Sequence, residues 1–410
     1  MNVPDGWRAA LLSDVCSVGP RDPALPETAP FVPMDAVKVG VREPAYYEPR
    51  GKRGSIRAKD NDLLFARITP CLENGKVSLL PPSSGPTGGS TEFLVVRPGT
   101  NVDPRYLYLW SLNPAVRERA KAEMTGTTGR MRLSRSALGA LPFPHPPLPE
   151  QRRIVETVEE HMAHLDAADA SLASAEQRLT YAEVALARSY FDRDTGDGSA
   201  WRWSTIGDEC SVAVGATPKR SEPSLWEGDI PWVSSGEVAF TRITDTREHI
   251  SETALGDRSK RLHPPGTVLL AMIGEGRTRG QAAILETWAA HNQNCASIRT
   301  AGSSIHPNFL YLFLKYKYAE VRAGGSGGNQ PALNKARVRA IPIPVPPLAE
   351  QLKIAAAMEA WAEQAHRTTS AIVTQRRKSA ALRRSVLAAA FSGHLTSTTD
   401  PSDLLQESIA

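Results

Sequence analysis

Two stretches of this sequence set arginine, lysine, asparagine and glutamine beside glycine and threonine. They are TGTTGRMR at residues 125–132 and GGSGGNQPALNK at residues 324–335. Small residues let a backbone come close to a polyanion, while the longer side chains offer forked or single donors to phosphate oxygens and base edges. The candidate contacts are Thr127, Thr128, Arg130, Arg132 and Arg135 around the first loop, and Asn329, Gln330, Asn334 and Lys335 around the second. Lys219 and Arg220 in ATPKRSEPSLW, and Arg277 and Arg279 in GEGRTRG, extend the second group; Arg67 and Lys76 extend the first. Any one of these alone reads as a solvated surface charge. Two such loops at equivalent places in a repeated chain favour binding of nucleic acid.

Catalytic chemistry is hard to find. No GxxxxGK[ST] phosphate loop occurs, and Gly274, Gly276 and Gly280 give a GxG with a wrongly spaced third glycine. NPAV at Asn113 lacks the second proline and the aromatic residue of amino-methyltransferase motifs, and reads as a helix turn. No lysine has an acidic residue two places before it, as common metal-dependent nucleases require. His161 and His164 sit three apart in an acidic helix and read as a seam-lining and solvated pair rather than a metal site. Cys16, Cys71, Cys210 and Cys295 are scattered with no CxxC, which excludes a zinc ribbon and fits a reducing cytoplasm. The first residues show no basic and then apolar leader, and no apolar run reaches the roughly 18 residues that span a bilayer. A net charge of +4 does not by itself demand a nucleic-acid partner. The expectation is a chain that binds and catalyses nothing alone.

The loops must be positioned by a duplicated frame. PHPPLPEQRRI at residues 144–154 returns as PVPPLAEQLKI at residues 344–354. WRAALLSDVCSV answers WRWSTIGDECSV, LLFARI answers VLLAMI, and DPRYLYL answers HPNFLYL, in the same order along the chain. Each copy opens with short apolar runs between Gly and Pro, which read as strands and turns. One helix per copy is expected, near residues 106–123 and 308–322. A proline-free, glycine-free stretch follows from Glu150 to Phe191, with Val158, Leu165, Leu172, Leu179 and Leu186 every seven residues. Met358, Ala365, Ile372, Ser379 and Val386 repeat that seam in the second copy. Sustained heptads predict a coiled coil. The prolines give an extended approach and a clean helix start.

Charge sets the helix direction. Residues 150–192 hold nine acidic and four basic residues, the acids early; residues 350–392 hold three acidic and seven basic, the bases late. Only antiparallel pairing brings those clusters together. The predicted fold is α+β: two similar globules separated by a long antiparallel two-helix coiled coil, with a pseudo-two-fold internal repeat. The expected boundaries are 1–146 for the first globule, 147–195 for the central helix, 196–346 for the second globule, 347–395 for the C-terminal helix, and 396–410 for a tail.

The paired PPLPEQRRI and PPLAEQLKI, the Gly-rich loops before them, and WSTIGDECSVAVGATPKRSEPSLWEGDIPWV at residues 203–233 resemble the DNA-specificity subunit of type I restriction-modification enzymes. The resemblance covers almost the whole chain. It implies two target-recognition domains, each reading one half of a split double-stranded DNA target in the major groove, with the helices setting the spacer. It implies two adenine-methyltransferase (M) subunits and motor-nuclease (R) subunits as partners. S-adenosylmethionine, ATP and Mg would belong to those partners, and no cofactor to this chain. The first globule departs from the pattern, because VGPRDPALPETAPFVPMDAV lacks the G-x-T-P of the second. The competing reading is a non-catalytic coiled-coil scaffold that binds only proteins.

Overall fold

The computed structural model describes residues 3–127, 129–192, 201–256, 261–274, 276–324 and 332–395. The chain forms two compact units: Met1–Ala173 with Ile372–Ala410, and Ser174–Ala371. Among the described residues no helix is long and apolar enough to cross a membrane.

In the first unit a four-stranded antiparallel sheet runs in the order Cys16–Val18, Phe93–Pro98, Leu63–Ala66, Val77–Leu79. A second sheet orders Glu48–Pro49, Pro30–Val32, Thr87–Gly89 and Ile56–Ala58. Successive side chains of a strand point to opposite faces. Leu63 and Phe65 therefore enter one apolar core, and Leu64 and Ala66 another. Helix Pro104–Leu112 covers the first core with Tyr106, Leu107 and Trp110, and is capped by Asp103, whose carboxylate accepts from Arg105 N at 2.8 Å. The single helix expected over 106–123 is two helices. Pro114 cannot continue a helix, and the Asn113 side chain accepts from Ala115 N at 3.0 Å, starting Pro114–Ala122 afresh.

The second unit repeats this plan. A five-stranded sheet runs Ser211–Val214, Cys295–Arg299, Val268–Ala271, Ala282–Leu285, Thr241–Ile243, and a three-stranded sheet runs Glu248–Ile250, Ile230–Val233, Ala290–His291. Val268 and Leu270 enter one core, and Leu269 and Ala271 another, as in the first unit. The expected helix over 308–322 is again broken in two, Pro307–Tyr316 and Tyr318–Ala323. A short two-stranded ribbon closes each unit: Arg8–Leu11 with Pro142–His145, and Arg202–Thr205 with Pro342–Val345.

The proline-rich phrases lead straight into the long helices, Leu148–Phe191 and Leu348–Ser392. Their glutamines are fully buried, at 0% exposure each. Gln151 Oε1 accepts from Asp103 N at 2.9 Å, while its Nε2 donates to the carbonyls of Asn101 and Pro146, both at 2.9 Å. Gln351 makes the same three bonds, from His306 N at 2.7 Å and to Ser304 and Pro346 at 2.7 and 2.8 Å. Each amide thus ties the first turn of a long helix to the hinge before it and to the loop entering the preceding helix.

In the first unit the two long helices run antiparallel. Ile154 and Val158, from the start of one, share a core with Leu387, Ala390 and Phe391, from the end of the other. Arg383 Nη2 meets Asp166 at 2.7 Å and Asp169 at 2.9 Å, and Ser379 Oγ donates to Asp169 at 3.1 Å. These are the early acids and late bases whose meeting the charge pattern required. The second helix stops at Ser392. Gly393 follows with φ +81°, and a side chain there would strike Pro4. In the second unit, Ala187 and Phe191 share a core with Ile354, Ala355 and Met358.

Gln151→Leu leaves the buried Asp103 N–H and the buried Pro146 carbonyl without their side-chain partner, each costing roughly 1–3 kcal/mol, while the exposed Asn101 carbonyl keeps His145 Nε2. It should destabilise the first unit by about 2 kcal/mol or more. Gln351→Leu should do the same to the second unit. Denaturant unfolding with hydrogen exchange read unit by unit measures both.

Candidate nucleic-acid interface

In the first unit the Gly/Thr loop is a short hairpin. Thr125 N and Arg132 N donate to each other's carbonyls at 3.0 and 2.8 Å, and Arg130 N donates to Thr127 O at 2.9 Å. The hairpin is anchored below: Thr69 N donates to Met131 O at 3.1 Å, and Leu133 N to Arg67 O at 2.8 Å. Thr127 and Arg130 are exposed at its tip, and no described residue pairs with the Arg130 guanidinium. Thr128 lies outside the described residues. Arg132 is held by Glu92, with Nε donating to its carboxylate at 3.0 Å and Nη2 at 2.7 Å. Arg67 is half-buried, and its Nε has no hydrogen-bond partner among the described residues. The hydrogen bond from Arg132, with the charges of Arg132 and Arg67, holds the Glu92 carboxyl below the usual carboxylate range.

Arg135 opens helix Arg135–Gly139, which Ser134 caps by accepting from Ala137 N at 3.0 Å. Its guanidinium lies across Gly19, where φ is +64° and any side chain would collide with it. Lys76 is turned inward, donating to Met34 O at 2.9 Å. The structure therefore gathers Arg67, Thr127, Arg130 and Arg132 on one hairpin and its footing, and sets Lys76 to a structural task.

In the second unit Asn334 takes the place of Ser134, accepting from Arg337 N at 2.9 Å to cap Lys335–Arg339. Lys335 follows at the first helical position, exposed, as Arg135 does in the first unit. Asn329 and Gln330 lie outside the described residues. Arg277 is exposed, and its carbonyl accepts from Tyr318 OH at 2.7 Å. Arg279 is buried, with its carbonyl accepting from Arg322 at 3.2 Å. Lys219 pairs with Glu222 at 3.0 Å. Arg220 lies 3.6 Å over the Trp226 ring and gives both terminal nitrogens to Glu248. With Trp232 Nε1 donating to Ala216 O at 3.0 Å, Arg220 serves to pack its loop.

The acids that restrain these cations were not among the sequence candidates. Glu92 is 40 residues from Arg132, and Glu248 is 28 residues from Arg220. One restraint did leave a sequence signal. Arg42 pairs with Glu159 at 2.6 Å in the first unit and Arg242 with Glu359 at 2.6 Å in the second. Both partners recur 200 residues apart, as Gln151 and Gln351 do. His161 is half-buried and His164 exposed, and no group of three or more metal-ligating side chains occurs among the described residues.

Residues 198–374 match the family described as type I restriction modification DNA specificity domain. The likeness is to the specificity subunits of type I restriction enzymes. That of EcoEI, from Escherichia coli, is 30% identical over 213 residues, half of this chain and 36% of the relative. That of EcoAI, also from Escherichia coli, is 27% identical over 215 residues, again 36% of the relative. The chain thus matches about a third of the length of these relatives. The fold likeness extends further. A solved chain of a type I R-M system aligns with 96% of this chain at a TM-score of 0.79 and 22% identity. The HsdS subunit from Thermoanaerobacter tengcongensis aligns with 96% at 0.68 and 22% identity. The family match falls on the second copy, the one whose opening carries G-x-T-P.

The second unit also holds a buried basic cluster. His263 and His291 are 1% and 2% exposed, with ring centroids 4.8 Å apart. Arg299 Nε donates to His263 Nδ1 at 2.8 Å. Burial, with the charges of His291 and Arg299, drives His263 down to about 2, and burial drives His291 down to about 4. Unfolded imidazoles titrate near 6.5. Below about pH 6.5 and down to about 4, the unfolded chain binds more protons than the folded one, so stability falls as pH falls. The second unit should therefore loosen on acidification from pH 7 to pH 5, read by hydrogen exchange at Cys295–Arg299, and His291→Gln should flatten that slope.

Proposed function

We propose that the chain is a sequence-specific DNA-binding specificity subunit of a type I restriction-modification complex. In this reading residues 1–146 and 196–346 are target-recognition domains, each reading one half of a bipartite double-stranded target. Residues 147–195 and 347–395 are the helices that set the spacer. The chain catalyses nothing itself. Methyl transfer from S-adenosylmethionine belongs to two adenine-methyltransferase subunits, and ATP- and Mg-dependent translocation and cleavage to motor-nuclease subunits, in the cytoplasm.

One observation carries the reading: the same frame occurs twice, latched by the same buried glutamine, while the exposed residues on its loops differ. A scaffold has no need to hold two different loop sets in one repeated frame; a reader of two unlike half-sites does. Thr127, Arg130, Arg132, Arg135, Arg277, Asn334 and Lys335 are the exposed contacts, with half-buried Arg67 completing the set. Phosphate contacts by such residues would make binding fall steeply with salt.

The test is a domain exchange. Residues 201–345 are replaced by the matching part of a relative, the chain is assembled with its methyltransferase, and methylated sites are mapped. One half of the target should change while the other stays. Change in both halves, or in neither, contradicts the reading. Arg130→Ala and Lys335→Ala should each weaken DNA binding through a different half of the target, by about 1–3 kcal/mol where a base is contacted.

A further inference from the structure

The two units can be compared position by position through their backbone hydrogen bonds. Leu133 N donates to Arg67 O, and Leu333 N to Met272 O. Arg67 N donates to Glu92 O, and Met272 N to Asn294 O. Arg67, Glu92 and Arg132 in the first unit thus stand where Met272, Asn294 and Ala332 stand in the second. A charged cluster in one unit is replaced by an apolar and amide set in the other, on the footing of the same loop.

The geometry of Arg132 is specific. Glu92 takes the side edge of the guanidinium, through Nε and Nη2. The end edge, Nη1 with the second hydrogen of Nη2, has no described partner. Other acid-bound arginines are spent differently. Arg220 gives Glu248 its end edge and Trp226 its face. Arg97 gives its side edge to Asp62 and its end edge to Asp22. The Arg132 backbone is also pinned on both sides, bridged to Ile68 and to Thr125. Its side chain is 44% exposed. The result is a partly exposed guanidinium held along one edge, with its other fork unpaired among the described residues.

We propose that Arg132 reads a guanine of the first half-target, its end edge donating to O6 and N7, and that Glu92 is the positioning residue that fixes the fork. An open fork of this kind matches those two acceptors in the major groove. A carboxylate this close to DNA repels phosphates, so Glu92 lowers affinity for all sequences while sharpening preference at one base. The second unit has no such pair at these positions and reads its half by other groups. This inference rests on the proposed DNA reading.

The full chain, assembled with its methyltransferase, is used to select from a randomised duplex library at fixed salt. Wild type should require a guanine at one position of one half-site. Arg132→Ala and Arg132→Lys should lose that preference, by roughly five- to 150-fold. Glu92→Ala should relax the same position while holding or raising affinity for random DNA, and Glu92→Gln should retain part of the preference. The second half-site, unchanged throughout, reports that the variants are folded. If Arg132→Ala weakens every sequence alike and lowers the salt slope, the residue holds a phosphate and the inference fails. It fails also if Glu92→Ala leaves every position as it was. If wild type shows no sequence preference, the proposed function itself falls, and this inference with it.

Discussion

A single primary amide holds the start of each long helix. Gln151 and Gln351 have no exposure to water, and each uses one acceptor and two donor hydrogens on three backbone groups, two in the loop before the preceding helix and one in the proline hinge. A buried amide is tolerable only when so satisfied. The geometry leaves little choice of rotamer, and so fixes where the helix leaves the hinge. Just over two helical turns later, Glu159 and Glu359 are tied to Arg42 and Arg242. These ion pairs are half-exposed, where such pairs contribute little stability, so they orient more than they stabilise. The apolar side chains between them, Ile154 and Val158 or Ile354 and Met358, complete the attachment.

A frame so firmly specified lets its surface vary. Arg97 and Arg299 occupy the same place, paired across the sheet with Ser17 and Ser211. The first turns to Asp22 and Asp62, the second to His263. The strand and its apolar neighbours are kept while the polar partners are exchanged from acids to imidazoles. The same occurs at the loop footing, where Arg67, Glu92 and Arg132 answer Met272, Asn294 and Ala332. Duplication followed by divergence of side chains on a shared backbone plan is what two readers of different half-sites would need.

Much of this was legible in the sequence because it is local or periodic. The repeat, the proline hinges and the heptads all lie in short windows, and the charge pattern foretold the meeting of Asp166 and Asp169 with Arg383. The break at Asn113 and Pro114 was also written locally, but the apolar run on either side of it masked the proline. Candidate contacts were harder. Arg132, Arg220 and Lys76 read alike as free cations, yet their partners Glu92, Glu248 and Met34 stand 28 to 42 residues away. Only the fold brings them together. Which edge of a guanidinium remains open is a property of pairing across sheets, and no spacing in the chain encodes it.

The central claim is that one chain holds two independent readers. Selection of bound duplexes from a fully random library, by the intact chain with its methyltransferase, tests it most directly. The account predicts a consensus of two short, unlike blocks separated by an unspecified spacer of constant length. A single continuous consensus, or binding with no preference at physiological salt, would contradict it.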